Sequence, residues 1–254
     1  MNPLPILTVP FNIKARPWEL QYFRAAVAES VVSRKPLFAE KGIPTDYFHN
    51  HDEQTAADRT ITRFPLIQYT LQDDHIVMVG IGDAARALAF YIRVCPDWIR
   101  FHERSAPMQV VADKVRIQDY RAHTTPGRNE YYLTRWLGLQ EDRYELWKKQ
   151  ERFSDKIQLL EEGLGYTIKR FLNEGASLKM DKPEDIVIRD VFFGDFNTYK
   201  GFKLRSFTLI FATHLVLPTN ICIGKGCSIG FGQLQAPRRL VQLRPVPAEA
   251  MPEQ

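Results

Sequence analysis

The amino-acid sequence predicts an α+β protein made of two tandem units with antiparallel sheets. Apolar residues alternate at strand spacing in several short segments and recur at helical spacing in longer ones. Strands and helices therefore follow one another along both halves of the 254-residue chain. Hydrophobic content of 44% and charged content of 25% are typical of a globular protein, and no run approaches the ~18 apolar residues that span a membrane.

The first half of the sequence follows the order strand, helix, strand, strand, helix. The predicted elements are a strand at 5–13, a helix at 18–32, strands at 64–71 and 75–81, and a helix at 82–92. A short turn at residues 72–74 joins the two middle strands into a hairpin. A further strand, within 97–103 or beginning at 109, would complete a βαββαβ ferredoxin-like unit.

The second half predicts a similar unit. Its predicted elements are extended segments in 109–123 and 129–138, a helical pattern over 141–176, and strands at 185–193, 201–217 and 228–235. Within the helical pattern, Gly163 and Gly165 indicate a break. We expect a domain boundary near 95–110, which gives an N-terminal domain at 1–105, a C-terminal domain at 106–243 and a mobile tail at 244–254.

The charge distribution suggests an anionic partner. The net charge of +4 is mild, but from Tyr199 onward seven basic residues are accompanied by two acids, both in the tail. A structured segment with charge of one sign favours nucleic acid as a partner. A solvated basic face without a partner is the alternative.

Cysteine usage and the start of the chain bear on localisation. Three cysteines, an odd and low number, favour reduced thiols in a cytoplasm. Cys222 and Cys227 have no second pair at metal-ligand spacing, so zinc is not predicted. The first residues lack a basic region followed by an unbroken apolar stretch, which does not predict a signal peptide.

The stretch 47-YFHNHDE-53 lies in a segment, 33–62, that predicts a long irregular loop. On an extended backbone His49 and His51 point to the same side, with their imidazoles ~6–7 Å apart. Such a pair suits general acid–base catalysis near neutral pH, since the reference pKa of histidine is ~6.5. The alternatives are one catalytic histidine beside one that only positions RNA or caps the loop, a metal site completed by further ligands, and a purely structural loop.

A second stretch, 221–235, is rich in glycine. It contains Gly224, Gly226, Gly230 and Gly232 around Lys225 and Ser228. Exposed amides beside a lysine are able to cradle a phosphate. The alternative is a bulged hairpin whose glycines only allow a helix to pack against a sheet.

These motifs together resemble a known family. The glycine-rich segment 224–234 resembles that of the RAMP superfamily, the repeat-associated RNA-binding proteins of CRISPR systems. The stretch 47–53, followed by FPLIQY at 64–69 and by 79–88, resembles the sixth family of CRISPR-associated proteins, the endoribonucleases that cut CRISPR precursor RNA. The similarity is greatest to the "b" subgroup of that family.

The resemblance implies two ferredoxin-like domains and an enzyme that binds the repeat of a precursor transcript and cuts once per repeat. Family members need no metal ion or cofactor, and a 2′-hydroxyl attacks the phosphate to leave a 2′,3′-cyclic phosphate and a 5′-hydroxyl. The matching catalytic positions are His49 and His51. The glycines that match the superfamily's RNA-contacting loop are Gly224, Gly226, Gly230 and Gly232. From their charge and position we also expect RNA contacts from Lys225, Ser228, Arg238 and Arg239.

The transition state of this reaction also needs a cation or a hydrogen-bond donor. Lys35 or Lys41, Tyr47 and Tyr69 are the candidates, although apolar neighbours make core packing the alternative for Tyr69. We expect CRISPR repeat RNA and effector-complex proteins as partners, no membrane association, and a monomer or homodimer. The alternatives are a non-catalytic RAMP subunit that only binds RNA and a metal-dependent hydrolase that uses the two histidines.

Overall fold

The structure, a computed structural model, describes residues 3–48, 63–139, 141–182, 184–199 and 202–236. These residues form two successive α+β units, each with a four-stranded antiparallel sheet. No helix of this described part is both long and apolar enough to cross a membrane.

The N-terminal unit has the ferredoxin-like arrangement that the sequence predicts. Its elements are β1 Leu4–Lys14, α1 Leu20–Val32, α2 Lys35–Glu40, β2 Ile67–Gln72, β3 His75–Ile81, α3 Asp83–Val94, β4 Trp98–Phe101, β5 Arg104–Pro107 and β6 Arg116–Tyr120. The sheet order is β2-β3-β1-β6, and β4 and β5 form a separate hairpin. The apolar, partly β-branched sequence of β1 suits its central position, where side chains are buried on both faces.

Two details of this unit differ from the sequence-based expectations. Strand β6 pairs with β1, so the first sheet extends to Tyr120, past the boundary expected at 105–106. The loop expected at 33–62 contains α2 and a 3₁₀ turn at Asp46–Phe48. Residues 49–62 lie outside the described residues.

The C-terminal unit repeats the sheet pattern without the second helix and without the inserted hairpin. Its elements are β7 Thr124–Trp136, α4 Glu141–Lys149, α5 Phe153–Arg170, β8 Val187–Tyr199, β9 Phe202–Leu215 and β10 Gln233–Gln235. The sheet order β10-β7-β9-β8 matches that of the first unit. Where the first unit has α3, the chain between β9 and β10 forms the glycine-rich loop with a single 3₁₀ turn, Cys227–Ile229.

The long helical pattern divides at a different place from the one predicted. The break falls between α4 and α5, whereas Gly163 and Gly165 are both buried within α5. A Cβ atom at Gly163 would lie 3.2 Å from the side chain of Leu139, which is tight. This glycine therefore brings the helix close to the end of β7 and does not interrupt it.

The two units share a core. One face of the N-terminal sheet packs under α1 and α3, and the other face, which includes Val79 and Ile81, joins apolar residues of the C-terminal unit. The ring centroids of Phe64 and Phe171 lie 5.4 Å apart across this junction. The hydroxyl of Tyr120 donates a hydrogen bond of 2.9 Å to the carbonyl of Val216. Burial at this junction stabilises the two units as one body.

Candidate active site and nucleic-acid interface

The chain that leads into the histidine stretch is held by aromatic packing. The ring of Phe38, in α2, lies 4.9 Å from that of Phe90 and 5.9 Å from that of Phe48. Phe48 in turn lies 5.4 Å from the ring of Tyr91, in α3. Phe38 and Phe48 are both fully buried, so position 49 follows directly on an anchored residue.

The chain that follows the histidine stretch is anchored to the other unit. The amide of Phe64 donates a hydrogen bond of 2.9 Å to Oε2 of Glu174, and its ring packs on Phe171. Arg63 forms an ion pair of 3.1 Å with Asp46, which ties the two flanks of the stretch together. This exposed pair contributes on the order of 1 kcal/mol or less.

The two predicted catalytic histidines, His49 and His51, lie outside the described residues. Their roles therefore stay predictions. Among the described residues no group of three or more His, Cys, Asp or Glu side chains is arranged to hold a metal ion.

Tyr47 lies beside the anchored flank and is partly exposed. Burial raises the pKa of its hydroxyl, the carboxylates of Asp83 and Asp46 raise it further, and Arg63 lowers it by less. The phenol thus keeps its proton at neutral pH and is a hydrogen-bond donor, not a base.

Tyr69 is fully buried in the N-terminal core, with its ring 6.1 Å from that of Phe23. Burial raises the pKa of its hydroxyl well above the usual value, and this hydroxyl has no hydrogen-bond partner among the described residues. A phosphate does not reach a side chain in this position. The structure thus favours a core-packing role for Tyr69, which the sequence left open as the alternative, over a catalytic role.

The two motifs that the sequence singled out meet at Gln68 and Cys222. The amide of Cys222 donates a 2.7 Å hydrogen bond to Oε1 of Gln68. Nε2 of Gln68 donates to the carbonyls of Cys222, at 2.8 Å, and of Pro65, at 3.3 Å. Gln68 is fully buried, so it serves as a polar clamp between edge strand β2 and the glycine-rich loop.

Sequence reasoning missed this role of Gln68. The available signal was a glutamine in the otherwise apolar stretch 64-FPLIQY-69, since a fully buried amide requires hydrogen-bond partners. The identity of the partner was not available, because 154 positions separate the two residues.

The glycines of the loop fit tightly packed positions. Gly232 has a φ of +68°, and a Cβ atom there would lie 2.0 Å from the carbonyl oxygen of Ile223. At Gly224, with a φ of +94°, a Cβ would lie 2.7 Å from Nε1 of the buried Trp136. These two glycines allow the loop to close around the Trp136 indole, as the packing alternative requires.

The loop presents few groups to solvent. Gly226, Ser228 and Gly230 are buried, whereas Gly224 and Lys225 are partly exposed. Of the predicted RNA contacts that the structure describes, Gly224 and Lys225 are therefore the most accessible. Arg238 and Arg239 lie outside the described residues.

Arg24, on α1, is a contact that sequence reasoning missed. Its Nη1 donates a 3.3 Å hydrogen bond to the hydroxyl of Ser228. Helix α1 is thus joined to the glycine-rich loop. A basic side chain at this junction adds positive charge where phosphate binding was expected.

The hairpin of β8 and β9 carries aromatic rings and a cation. Phe193 and Phe196 are about half exposed, and the guanidinium of Arg205 lies 5.6 and 5.0 Å from their ring centroids. A small cluster of Leu137, Leu204 and Phe231 connects the hairpin with the glycine-rich loop. Arginine and aromatic rings together are typical of surfaces that contact nucleic acid.

The two cysteines of the loop are unreactive because their thiols are buried. Burial raises the pKa of the Cys222 thiol to about 12 and that of Cys227 even further. Both thiols are free and stay protonated at neutral pH.

Comparison with known proteins assigns both units to one family. The Cas6b N-terminal domain model matches residues 2–120, and the Cas6b C-terminal domain model matches residues 123–236. The junction between the matches coincides with the connection between β6 and β7. No curated protein matches the sequence significantly.

Solved structures share the fold. "Crystal structure of Cas6b" aligns over 92% of this chain and 99% of its own, with a TM-score of 0.71 and 18% identity. "Crystal structure of CRISPR RNA processing endoribonuclease Cas6b" covers 91% and 98%, with a TM-score of 0.63 and 18% identity. "Csf5, CRISPR-Cas type IV Cas6 crRNA endonuclease" covers 92% and 99%, with a TM-score of 0.52 and 12% identity. At these identities the likeness establishes the fold.

Proposed function

Because the chain belongs to the Cas6b family, we propose that it is an endoribonuclease that binds CRISPR repeat RNA and cuts the precursor transcript within each repeat. The products are guide RNAs for a CRISPR effector complex. We place this activity in the prokaryotic cytoplasm, in accord with the three free cysteines. Cleavage proceeds without a metal ion.

The contact between Gln68 and Cys222 carries this proposal. It joins the FPLIQY strand to the glycine-rich loop, which are two of the motifs behind the family resemblance. The stretch that carries His49 and His51 begins with Tyr47 and Phe48, which lie in the same unit as the strand. A bound RNA backbone would thus meet basic groups of the loop and the histidine stretch in one molecule.

We propose that His49 and His51 share the proton transfers. One imidazole removes the proton of the 2′-hydroxyl as its oxygen bonds to phosphorus. The other protonates the 5′-oxygen as the bond between phosphorus and that oxygen breaks. The products are then a 2′,3′-cyclic phosphate and a 5′-hydroxyl, and both proton transfers suit groups with pKa values near neutrality.

Tyr47 is the proposed donor to the phosphorane. Its raised pKa keeps the hydroxyl protonated, so it can donate a hydrogen bond to a non-bridging oxygen as negative charge develops there. Lys35 and Lys41, on the same flank of the histidine stretch, are the proposed cations. Tyr69 has no part in this proposal because of its burial.

The proposed RNA surface combines the exposed part of the glycine-rich loop with neighbouring basic groups. Lys225 supplies one cation, Arg24 a second at the Ser228 junction, and Arg205 a third on the hairpin. Arg238 and Arg239 follow β10 in the sequence and extend this set. Phosphate contacts of this kind make binding depend on salt.

The proposal is tested by incubating the purified protein with the repeat RNA of its own CRISPR array in the presence of a chelator. We expect cleavage at one position per repeat, with a cyclic phosphate on the upstream product. Binding without cleavage would favour the non-catalytic RAMP alternative. Cleavage that stops in chelator and returns with a divalent ion would favour the metal-dependent hydrolase.

A further inference from the structure

Three aromatic side chains from two segments, the start of α1 and the β4–β5 hairpin, meet on the surface. The ring of His102 lies 4.8 Å from that of Tyr22, tilted by 35°, and 5.0 Å from that of Trp18, at 83°. The rings of Trp18 and Tyr22 are 6.3 Å apart. Trp18 is 48% exposed and Tyr22 40% exposed, and we call these three side chains the aromatic platform. None of them belongs to the candidate site described above.

The platform depends on the β4–β5 hairpin, which is an insertion into the βαββαβ order between α3 and β6. The hairpin packs on α1 through Phe101, whose ring lies 5.3 Å from that of Phe23. Its turn places His102 at a φ of +53°, a backbone conformation that costs free energy for a residue other than glycine. That conformation holds the imidazole against the other two rings.

The surroundings of the platform carry excess positive charge. Arg104 forms an ion pair of 2.9 Å with Glu19, and its Nη2 donates to the carbonyl of Lys14. The second oxygen of Glu19 accepts the amide of Arg16, so this carboxylate is fully engaged within the protein. The side chains of Lys14 and Arg16 are exposed, and Glu103 is the exposed acid in the same turn.

Aromatic rings beside basic side chains favour a nucleotide as the ligand of the platform, since the rings can bind its base and the cations its phosphate. A base stacks on an aromatic side chain regardless of sequence, and nearby cations attract the backbone. An apolar protein partner would instead match a patch without this charge. The platform therefore fits an unpaired nucleotide better than a protein surface.

We propose that the aromatic platform binds an unpaired base of RNA that flanks the segment held at the cleavage site. This inference rests on the proposed function, which supplies the RNA. Helix α1 joins the platform to the proposed RNA surface: it starts beside the platform and contacts the glycine-rich loop through Arg24. Arg24 follows Tyr22 by two residues, so one short single strand can reach both the platform and the loop.

The test compares two RNAs and four proteins. One RNA is the bare repeat, and the other is the repeat with a short uridine tract on each end. The variants of the full chain are Trp18→Ala with Tyr22→Ala, Tyr22→Phe, and Trp98→Ala as the matched control. Trp98 is 64% exposed on the outer side of the same hairpin, so its loss removes an exposed indole outside the platform.

We expect the uridine tract to strengthen binding by the wild-type protein, as measured by the anisotropy of labelled RNA. The double variant should lose about 10- to 100-fold in affinity for the extended RNA and little for the bare repeat. Tyr22→Phe, which keeps a ring, and Trp98→Ala should bind both RNAs like the wild-type protein.

Equal affinity of the double variant and the wild-type protein for the extended RNA would overturn the inference, as would an equal loss in Trp98→Ala. The aromatic platform would then be a binding surface for a protein partner instead. Failure of the proposed function is distinguishable, because it appears in the wild-type protein as absent cleavage of the bare repeat, with or without binding, whereas the platform is tested by the difference in affinity between the two RNAs. Circular dichroism spectra that match the wild-type protein confirm that each variant is folded.

Discussion

The side chain of Gln68 pairs with both backbone groups of Cys222, accepting from its amide at 2.7 Å and donating to its carbonyl at 2.8 Å. The side-chain amide thereby gives the backbone of Cys222 the two hydrogen bonds that a neighbouring strand would otherwise provide. The glycine-rich loop of one unit is fixed on the strand of the other by this pairing. Its removal would affect both stability and the position of the proposed RNA surface.

Gln68→Leu should destabilise the protein. The apolar side chain leaves the amide and carbonyl of Cys222 buried without partners, at a cost of about 2–4 kcal/mol in the free energy of unfolding. Urea unfolding followed by tryptophan fluorescence measures the loss. Gln72→Leu is the matched control, because Gln72 is exposed in the same strand, and its effect should stay within about 0.5 kcal/mol. Equal stability of the two variants would contradict the clamp.

The two tyrosines should respond differently to removal of their hydroxyls. Tyr47→Phe removes the proposed donor and should slow cleavage about 10- to 100-fold with little change in RNA affinity. Tyr69→Phe should leave cleavage unchanged and keep or raise stability, because the hydroxyl it removes is buried without a hydrogen-bond partner among the described residues. Single-turnover cleavage and thermal unfolding measure these effects. A slow Tyr69→Phe enzyme with normal stability would show that its burial does not exclude a part in catalysis.

The raised pKa of Tyr47 also predicts how the cleavage rates of the wild-type enzyme and of Tyr47→Phe compare across pH. The folded-state pKa of Tyr47 lies above 10.0, so the hydroxyl stays protonated as pH rises through neutrality and is lost as a donor only above that value. Between pH 5 and 9 the rate profiles of the wild-type enzyme and Tyr47→Phe should therefore be parallel. Profiles that converge as pH rises toward 9 would mean that Tyr47 ionises in that range.

Gly232→Ala should destabilise the glycine-rich loop. The added Cβ atom meets the carbonyl oxygen of Ile223 at 2.0 Å, and the φ of +68° is unfavourable for alanine, so we expect a loss of about 2–4 kcal/mol. Gly42→Ala separates the two causes, because Gly42 has a φ of +60° and open space around it. That control should lose only about 1 kcal/mol. Similar losses in both variants would mean that close packing of the loop adds nothing.

Neutralising Lys225, Arg238 and Arg239 together, by substitution with glutamine, should weaken RNA binding and reduce its dependence on salt. Removing one cation that binds a phosphate lowers the slope of log affinity against log salt by about 0.7 to 0.9. The matched control replaces Lys114, Lys149 and Lys182, which are exposed cations on other segments. If both triple variants shift the slope equally, net charge and not this surface attracts the RNA.

Much of the fold was predictable because it follows from local patterns. The alternation of apolar residues located β1, β2 and β3, and helical spacing located α1 and α3. The last strand of the first unit was placed poorly, because the β4–β5 hairpin intervenes and β6 has four exposed side chains out of five. The break between α4 and α5 was missed because Gly163 and Gly165 gave the stronger local signal for a helix end. Both glycines are in fact buried within α5, where Gly163 packs against the end of β7.

The sequence predicted the motifs of the candidate site, but it did not predict which residues of those motifs contact one another. Glycine spacing suggested phosphate binding, whereas the structure reveals that Gly224 and Gly232 also make room for Trp136. The hydrogen bonds of Gln68 with Cys222 and of Arg24 with Ser228 join residues 154 and 204 positions apart, which no local pattern encodes. The depth of Tyr69 likewise depends on tertiary packing with Phe23 and its neighbours.

The most direct measurement is cleavage of repeat RNA in chelator by the wild-type protein and by His49→Ala with His51→Ala. The wild-type protein should cut once per repeat and leave a cyclic phosphate, while the double variant binds with the same affinity and loses at least about 10²-fold in rate. His75→Ala, at a partly exposed histidine that begins β3, should behave like the wild-type protein. Undiminished cleavage by the double variant, or no cleavage by the wild-type protein until a divalent ion is added, would contradict metal-independent catalysis by these histidines.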